Sequence, residues 1–449
     1  MRPSAPPPVP PGEDTDVLPR VRGPRHRRKT GSARRRWLAG GRTLAGLVTV
    51  LAVGLTGMGW AGYRSLAGGI ITSQALAGGP SSTGGEQNIL IMGLDSRLDQ
   101  YGHPLPQAMY DALHAGDASV GGYNANVLIL LHLPEGDGPV IAISIPRDDY
   151  VDLPGCPSQV CKGKIKQAYG LAYEETMEEL TGNANSDNVI ANEQAAREAG
   201  RKAEIRTVRA LLGVPIDHFI EITLGAFFQI AEVVQPITVC LNDDTADDYS
   251  GADFHKGVQQ IDAAQAMAFV RQRRDLNDDL FTDMDRTRRQ QAFIVSLMAA
   301  LRDGGALSSP SALRNLVRVA QQNVAVDAGF DLAGFIDTDS ALTGRPISLY
   351  TLPIREFGQD PAGEDVNLID VAAVRAIVRN LFATGSPNPT SAPAAASAAV
   401  PARDDTVASD SPAAGSAVPV PVDATATGAN APAPTDLTKM TGEGIPCVR

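Results

Sequence analysis

Motifs that mark several common enzyme classes are missing from this chain of 449 residues. There is no Walker loop and no GxGxxG fingerprint, which disfavours a nucleotide substrate. The four cysteines include no CxxC pair, which disfavours a cysteine-bound metal. No cysteine or serine occupies a recognisable nucleophile motif, and no internal repeat is visible. The chemistry therefore has to be sought among the charged side chains.

Charge is distributed unevenly along the chain. Residues 1–42 contain eleven Lys/Arg and three acidic residues, a net charge of +8. Because the whole chain carries −12, the remaining residues carry −20. An acidic body behind a basic head does not suggest nucleic-acid binding, and we predict no nucleic-acid partner. The pattern suggests a membrane protein whose head lies in the cytoplasm.

An uncharged, largely apolar stretch at residues 43–63 follows the basic head. About 20 apolar residues are enough to cross a bilayer as a helix. Three arginines shortly before it, Arg34 to Arg36, place the N-terminus in the cytoplasm by the positive-inside rule. We predict a single-pass, type II protein of the cell membrane with an extracytoplasmic catalytic domain. A cleaved signal peptide is the alternative, which the long polar lead and the length of the apolar run disfavour.

Composition divides the chain into five predicted segments. They are a basic disordered cytoplasmic segment (1–42), a transmembrane helix (43–63), a flexible Gly/Ser-rich linker (64–85), a catalytic domain (86–384) and an Ala/Pro/Ser/Thr-rich disordered tail (385–449). Cysteines on the oxidising side of a membrane favour disulfides. Cys156 and Cys161 are close enough to bridge a short loop, and a Cys240–Cys447 pair would staple the tail to the core.

Short apolar strands alternate with amphipathic helices in the predicted domain. Strands are predicted at 88–94, 127–133, 140–145, 218–223, 237–241 and 347–352. Helices are predicted at roughly 185–212, 224–234, 262–270, 286–301, 311–324, 331–342 and 367–383. This alternation predicts an α/β (α+β) sandwich with a central mixed β-sheet flanked by helices. The helix at 224–234 either lines an apolar cleft or is simply core.

The connection from Arg271 to Gln290 joins two of these helices and is crowded with charge. It contains Arg271, Arg273, Arg274, Arg286, Arg288 and Arg289 together with Asp275, Asp278, Asp279, Asp283 and Asp285. Guanidinium forks can hold several phosphate oxygens at once, and carboxylates can hold a metal or act on a proton. A solvated, salt-bridged surface loop is the alternative interpretation of such a charge run.

Two predicted strands end in charged residues of the same kind. Asp95 and Arg97 follow the first, and Arg147 and Asp148 follow the third. Ligands gather at strand ends in α/β sheets, although each pair taken alone is more typical of a strand-terminal salt bridge. Together with the charged connection, they place many arginines on one face.

Helical spacing limits which residues of the connection can act together. Arg271 and Arg273 reach one site only if the first helix ends there, since residues two apart point to nearly opposite sides of a helix. Asp283, Arg286 and Gln290 share a face if the second helix begins near Asp283. Asp283 as a mere N-cap is the alternative.

A site with several arginines and a few carboxylates is suited to a pyrophosphate held with a divalent cation. The arginines and the cation would offset the charge that builds on the leaving phosphate. An extracytoplasmic domain has no supply of ATP. A polyprenyl-pyrophosphate donor in the bilayer is therefore the expected energy source.

Five motifs follow one another in an order that resembles the LytR-CpsA-Psr family, particularly its actinobacterial members. They are GLDSR (93–97), SIPRDDYV (144–151), KIKQAYG (164–170), AMAFVRQRRD (266–275) and DMDRTRRQQ (283–291). The resemblance implies a membrane-anchored phosphotransferase that moves a glycopolymer from a polyprenyl-pyrophosphate carrier onto peptidoglycan in cell-wall assembly, with Mg²⁺. The partners that it implies are the lipid-linked glycan and peptidoglycan.

The resemblance also implies roles for individual residues. It assigns Asp95 and Asn126 to the metal, and Asp283, Arg147 and Arg286 to catalysis, with Asp283 a base or a positioning group. It assigns the pyrophosphate to five arginines: Arg97, Arg147, Arg271, Arg273 and Arg286.

Three positions depart from the pattern usual in that family. Asn126 stands where the family usually has Asp, so metal affinity should be lower. Asp285 stands in place of Gly and is expected to add a carboxylate beside the site, and Lys166 stands in place of Asn. Two alternative functions follow. One is a catalytically weak scaffold or regulator that binds lipid-linked glycan or peptidoglycan, and the other is a pyrophosphatase that acts without a wall acceptor.

Overall fold

The structure, a computed structural model, describes the chain in segments from residue 69 onward. The described residues are 69–113, 122–136, 138–182, 188–303, 309–330, 345, 347–384, 425–426, 439–441 and 445–449. The predicted cytoplasmic segment, the predicted span at 43–63, the predicted helix at 331–342 and most of the predicted tail lie outside them. Within the described residues, no helix has the length and apolar character needed to cross a membrane.

Strands and helices alternate through these residues. The strands are β1 (Ile71–Ser73), β2 (Gln87–Leu94), β3 (Ala125–Leu133), β4 (Val140–Ser144), β5 (Tyr150–Asp152), β6 (Lys162–Lys164), β7 (His218–Thr223), β8 (Ile237–Leu241), β9 (Thr245–Asp247), β10 (Ala252–Phe254), β11 (Gly257–Ile261), β12 (Val324–Asp327), β13 (Ile347–Thr351), β14 (Glu356–Gln359), β15 (Asp365–Leu368), β16 (Thr425–Ala426), β17 (Lys439–Thr441) and β18 (Cys447–Val448). The helices are α1 (Gln107–Ala112), α2 (Gln167–Gly182), α3 (Val189–Leu212), α4 (Leu224–Val234), α5 (Ala263–Arg271), α6 (Asp283–Asp303), α7 (Pro310–Asn323) and α8 (Val371–Thr384).

The central sheet has eight strands in the order β1-β12-β7-β2-β3-β4-β13-β17. Strand β2 runs parallel to β7 and antiparallel to β3, and β4 runs parallel to β13, so the sheet is mixed. The predicted central mixed sheet is thus confirmed. The sheet also draws β1 from the predicted linker and β17 from the predicted tail, beyond the predicted domain limits of 86 and 384.

Helices cover both faces of the sheet, as the alternation of side chains along β2 shows. Leu90 and Met92 face the cluster that contains Ile205 of α3, while Ile91 faces the cluster that contains Ile294 of α6. Successive side chains of a strand point to opposite faces, so a buried central strand is apolar at every position.

Helix α2 is absent from the sequence predictions. Its buried residues are confined to its first seven positions, Ala168 to Tyr173 among them, and the remainder is mostly polar and exposed, apart from half-buried Met177 and Leu180. It packs tightly on α3 because position 200 is glycine. A Cβ at Gly200 would lie 2.5 Å from the ring of Tyr169, so no larger residue allows this approach.

The charged connection runs between two helices, whose bounds differ slightly from the predicted ones. Helix α5 ends at Arg271, and α6 begins at Asp283, three residues before the predicted start. Both predicted disulfides are present, Cys156–Cys161 and Cys240–Cys447. The buried residues of α4 pack in one apolar cluster with α5 and α6, which agrees with the core interpretation of that helix.

Candidate active site

Three neighbouring strands deliver polar residues to one edge of the sheet. Strand β3 runs antiparallel to both β2 and β4, so it begins where they end. Asp95 follows β2, Asn126 lies at the start of β3, and Arg147 follows β4. A register shift at Gly93/Leu94 distorts the β2–β3 ladder beside this edge. The predicted strand-end residues are therefore brought together.

Arg147 is the central side chain of the site. It is buried and donates from Nη1 to Asn126 Oδ1 at 3.0 Å and from Nη2 to Asp283 Oδ1 at 3.0 Å. Its Nε lies 3.4 Å from Asp148 Oδ2. One guanidinium thus joins the β3 edge, its own loop and the start of α6.

Asp283 holds two arginines at once. Besides Arg147, it accepts from Arg286 Nη2, which lies 2.9 Å from Asp283 Oδ1. Burial acts to raise the pKa of Asp283, but the positive charges of Arg286 and Arg147 outweigh it and lower the pKa below the ordinary value. An ionised carboxylate with a lowered pKa is a weak base, so this geometry favours the positioning role over the base.

Arg271 and Arg273 meet the condition that their spacing imposes. Helix α5 ends at Arg271, and Gln272 turns the chain with φ −53° and ψ 127°. Burial lowers the pKa of Arg271, with Asp95 and Arg273 among its electrostatic neighbours. Partial loss of water and the charge of Arg147 lower the pKa of Arg273, whereas the charges of Asp283 and Asp95 oppose the shift. Both guanidiniums therefore lie in the field of Asp95.

Positive charge at the site exceeds the nearby negative charge. Burial lowers the pKa of Arg286 to about 10, and repulsion from Arg147 and Arg273 contributes although Asp283 opposes it. The buried Nε of Arg286 has no hydrogen-bond partner among the described residues. Arg97 lies 3.7 Å from Asp95 Oδ1. Such a cluster of underneutralised guanidiniums is suited to binding an anion.

Two site residues flank a disulfide-closed hairpin. Strands β5 and β6 form the hairpin that the Cys156–Cys161 disulfide closes. Asp148 precedes it and Lys166 follows it, and their charged groups lie 2.6 Å apart. Burial and the charge of Arg147 lower the pKa of Lys166. Sequence reasoning treated Lys166 only as a departure from a pattern; its partner Asp148, next to Arg147, was the available signal.

Part of the charged connection is structural. Asp285 accepts from the backbone N and the hydroxyl of Thr282, both at 2.9 Å, and pairs with Arg288 at 3.4 Å. The expectation that Asp285 adds a carboxylate to the site is therefore wrong, because Asp285 caps the start of α6 instead. Asp275 accepts from the backbone N of Ala246 in β9 and from that of Asn277 in its own loop.

The donor set for a metal is small. Among the described residues, no three His, Cys, Asp or Glu side chains are grouped so that they could hold a metal ion. Asp95 and Asn126 would offer two oxygen donors, which fits Mg²⁺ because it commonly takes one or two protein oxygens and completes its shell with substrate phosphate and water. Asn126 Oδ1 accepts from Arg147, so a metal would compete with that hydrogen bond.

Comparison with known proteins assigns the family. The profile of the LytR_cpsA_psr family matches residues 71–380. The chain belongs to this family. Among LytR-CpsA-Psr relatives, the cell wall biosynthesis protein LcpA of Corynebacterium glutamicum is 29% identical over 354 residues, which cover 78% of this chain and 66% of LcpA. The probable cell wall biosynthesis protein LcpB of the same organism is 26% identical, over 66% of this chain and 60% of LcpB. A third or more of each relative thus lies outside the match.

Other relatives carry more specific names. The polyisoprenyl-teichoic acid–peptidoglycan teichoic acid transferase TagU of Oceanobacillus iheyensis is 24% identical over 61% of this chain and 68% of that protein. Among solved structures, protein gbs0355 of Streptococcus agalactiae aligns with a TM-score of 0.47 and 19% identity over 66% of this chain and 88% of that chain.

Proposed function

We propose that this protein is a phosphotransferase that moves a glycopolymer from a polyprenyl-pyrophosphate carrier onto peptidoglycan during cell-wall assembly. The observation that carries the proposal is the set of underneutralised arginines at one sheet edge, of which Arg286 is buried and has an Nε without a hydrogen-bond partner among the described residues. Membership of the LytR-CpsA-Psr family and the name of the TagU relative support the same reaction class. The predicted membrane span would keep the site near a lipid-borne donor.

In the proposed reaction, the pyrophosphate lies among Arg97, Arg147, Arg271, Arg273 and Arg286. A hydroxyl oxygen of peptidoglycan attacks the phosphorus that carries the glycan, and the bond from that phosphorus to the bridging oxygen breaks. The products are a glycan–peptidoglycan phosphodiester and polyprenyl monophosphate, and the hydroxyl proton is lost to solvent.

The protein's own residues would act mainly by orienting charge in this reaction. Asp283 holds Arg147 and Arg286, so both guanidiniums are aligned before the donor binds. Arginines fixed in advance cost little reorganisation as charge develops on the leaving phosphate. Mg²⁺ bound by Asp95 and Asn126 would supply further neutralisation of the pyrophosphate.

One observation favours a second candidate, a catalytically weak protein that binds the lipid-linked glycan as a scaffold or regulator. Asn126 lacks the charge of a carboxylate and is engaged by Arg147, both of which weaken a metal site. A third candidate is a pyrophosphatase, which cleaves the same pyrophosphate and releases the carrier without a wall acceptor.

Release of prenyl monophosphate separates these candidates. We would measure it for the full chain in detergent, with a short prenyl-pyrophosphate glycan and Mg²⁺. Turnover is expected for the native protein and a loss of about 100-fold for Arg147→Ala, because Arg147 contacts the charge that develops. Asn126→Asp is expected to lower the Mg²⁺ concentration needed for half-maximal turnover. Arg355→Ala is the matched control, since Arg355 is exposed and pairs with Glu356.

The outcomes differ for each candidate. No turnover by the native chain, with turnover by Asn126→Asp, would replace the transferase with the scaffold. Turnover without glycan appearing on added peptidoglycan would support the pyrophosphatase. Equal turnover in native protein and Arg147→Ala would remove the arginine site from the chemistry altogether.

A further inference from the structure

Arg289 lies behind the arginine site and ties several segments together. Its side chain is fully buried and donates from Nη1 to Gln272 Oε1 at 2.5 Å and from Nη2 to Thr245 Oγ1 at 3.2 Å. Its Nε donates to the main-chain oxygen of Arg449 at 2.6 Å. The guanidinium also lies over the ring of Phe269 in α5, 5.2 Å from its centroid. The ring of Phe281 lies 5.0 Å from the guanidinium as well, so two aromatic rings and three oxygen acceptors contact this cation.

Gln272 is the residue between the two site arginines Arg271 and Arg273. Its side chain is fully buried, accepts from Arg289, and donates from Nε2 to Thr245 Oγ1 at 2.5 Å and to the main-chain oxygen of Arg274 at 2.8 Å. The buried amide therefore anchors the backbone where α5 ends. That turn decides whether both flanking guanidiniums reach the same anion.

The segment Ile445–Arg449 reaches this anchor from far along the chain. Strand β18 pairs in parallel with β8, and the Cys240–Cys447 disulfide joins them covalently. Val448 is buried in the apolar cluster of α4, α5 and α6. Arg449 then provides the oxygen for Arg289 and forms an ion pair with Asp278 of the connection. The segment contacts the charged connection at two points.

We infer that Gln272, Arg289 and the segment Ile445–Arg449 form one positioning unit, which sets the turn that aims Arg271 and Arg273 at a shared pyrophosphate. The inference rests on the function proposed above. None of the three elements contacts the substrate in this scheme. Gln272 and Arg289 hold the backbone, and the segment holds Arg289. The disulfide joins positions 207 residues apart, so it restricts the unfolded chain and lowers the entropy cost of holding the segment in place.

The test is the affinity of the full chain for inorganic pyrophosphate, measured by isothermal titration calorimetry at a temperature at which every variant is folded. Gln272→Ala and Arg289→Lys are expected to weaken binding about tenfold, because the displaced guanidiniums of Arg271 and Arg273 no longer contact the same anion together. The Cys240→Ser/Cys447→Ser double variant retains the side chains of Gln272 and Arg289 and releases only the covalent link to the segment. A smaller loss of affinity for pyrophosphate is expected for it. Gln359→Ala, at an exposed glutamine, is the matched control.

A double-mutant comparison separates positioning from general damage. If Gln272 acts through its neighbours, Gln272→Ala causes no further loss in an Arg271→Ala/Arg273→Ala background. If Gln272→Ala weakens pyrophosphate binding as much in that background as in the native chain, the inference is overturned. It is also overturned if the native chain binds pyrophosphate and the Gln272→Ala, Arg289→Lys and Cys240→Ser/Cys447→Ser variants all bind it with native affinity. Absence of pyrophosphate binding by the native chain would instead overturn the proposed function, and this inference with it.

Discussion

Among the described residues, two clusters of arginine and carboxylate side chains are balanced differently. In the first, Glu221 of β7 is fully buried beneath α3 and meets Arg201 Nε at 2.8 Å and Arg197 Nη1 at 3.4 Å. Gln100 and Tyr169 also donate to its two oxygens, at 2.8 and 3.0 Å. We call these residues the Glu221 network. The second cluster is the arginine site at the sheet edge.

The pKa values of Arg197 and Arg201 in the first cluster and of Arg286 in the second move in opposite directions. Burial acts to lower the pKa in both, yet the pKa values of Arg197 and Arg201 are raised because negative neighbours, Glu221 among them, outweigh it. In the arginine site, burial lowers the pKa of Arg286 to about 10, and two other guanidiniums add to the effect. The network therefore stabilises its own charges, whereas the site leaves positive charge uncompensated.

The difference in charge balance indicates a different role for each cluster. A buried charge network that is satisfied within the protein contributes to the folded structure and has no capacity for a ligand. A cluster with surplus guanidiniums and an unpartnered donor costs folding free energy until an anion arrives. Matched Arg→Met substitutions in the two clusters should therefore have opposite consequences.

The largest effect is expected for Arg201→Met in the Glu221 network. It removes the principal partner of a carboxylate that is fully buried, so the free energy of unfolding should fall by about 3–5 kcal/mol. Urea denaturation monitored by circular dichroism measures this. Arg206→Met is the control, since Arg206 is exposed on the same helix and should change stability little. Equal effects of the two substitutions would mean that the network does not act as a charge-balanced unit.

Arg273→Met in the arginine site should leave the free energy of unfolding unchanged or slightly higher. Arg273 makes no ion pair among the described residues, and its neighbours include Arg147. The affinity of the Arg273→Met variant for pyrophosphate should fall about tenfold, as expected when one phosphate contact is removed. Thermal melting with and without pyrophosphate measures both quantities, because a ligand that binds the folded state raises the melting temperature. Arg274→Met is the control, since Arg274 lies over the ring of Tyr249 instead. A marked loss of stability without ligand would assign Arg273 a structural role.

Most central strands and the membership of the site could be predicted from the sequence, because both depend on local patterns. Strands β7 and β8 and helix α4 have their predicted bounds, since a short apolar run between turn residues is a strong signal. Strand-end charges identified Asp95 and Arg147. The geometry of three adjacent strands then brings them together without further information.

The partition of charged residues could not be predicted, since it depends on contacts distant in sequence. Arg197 and Arg201 look like the polar face of a helix until Glu221, on another element, is placed beneath them. Arg289 could not be told from Arg286 by residue type. Only the position of Arg449 and Gln272 shows that Arg289 is structural.

Asp149 sharpens the comparison, because it is fully buried like Glu221 but forms no ion pair with an arginine among the described residues. It accepts from Asn367 Nδ2 at 3.1 Å, and its other oxygen has no hydrogen-bond partner among the described residues. Burial raises the pKa of Asp149 well above the ordinary value of 3.8, and the nearby charges of Asp148 and Asp283 add to this. The pKa of Glu221 is instead lowered, because Arg201 and Arg197 outweigh its burial.

The raised pKa gives Asp149→Asn a defined pH dependence. The unfolded chain ionises this carboxyl above about pH 4, whereas the folded chain holds its proton to higher pH, so native stability falls as pH rises from about 4 toward the raised pKa. Asparagine is neutral throughout and retains an oxygen for Asn367. The variant should therefore be more stable than the native chain at pH 7, by an amount on the order of 1 kcal/mol, and the gain should shrink toward pH 4. Urea denaturation at both values measures it, with exposed Asp152→Asn as the control. A difference that is the same at pH 4 and pH 7 would mean that Asp149 is ionised in the fold, and that a charge of the arginine site reaches it after all.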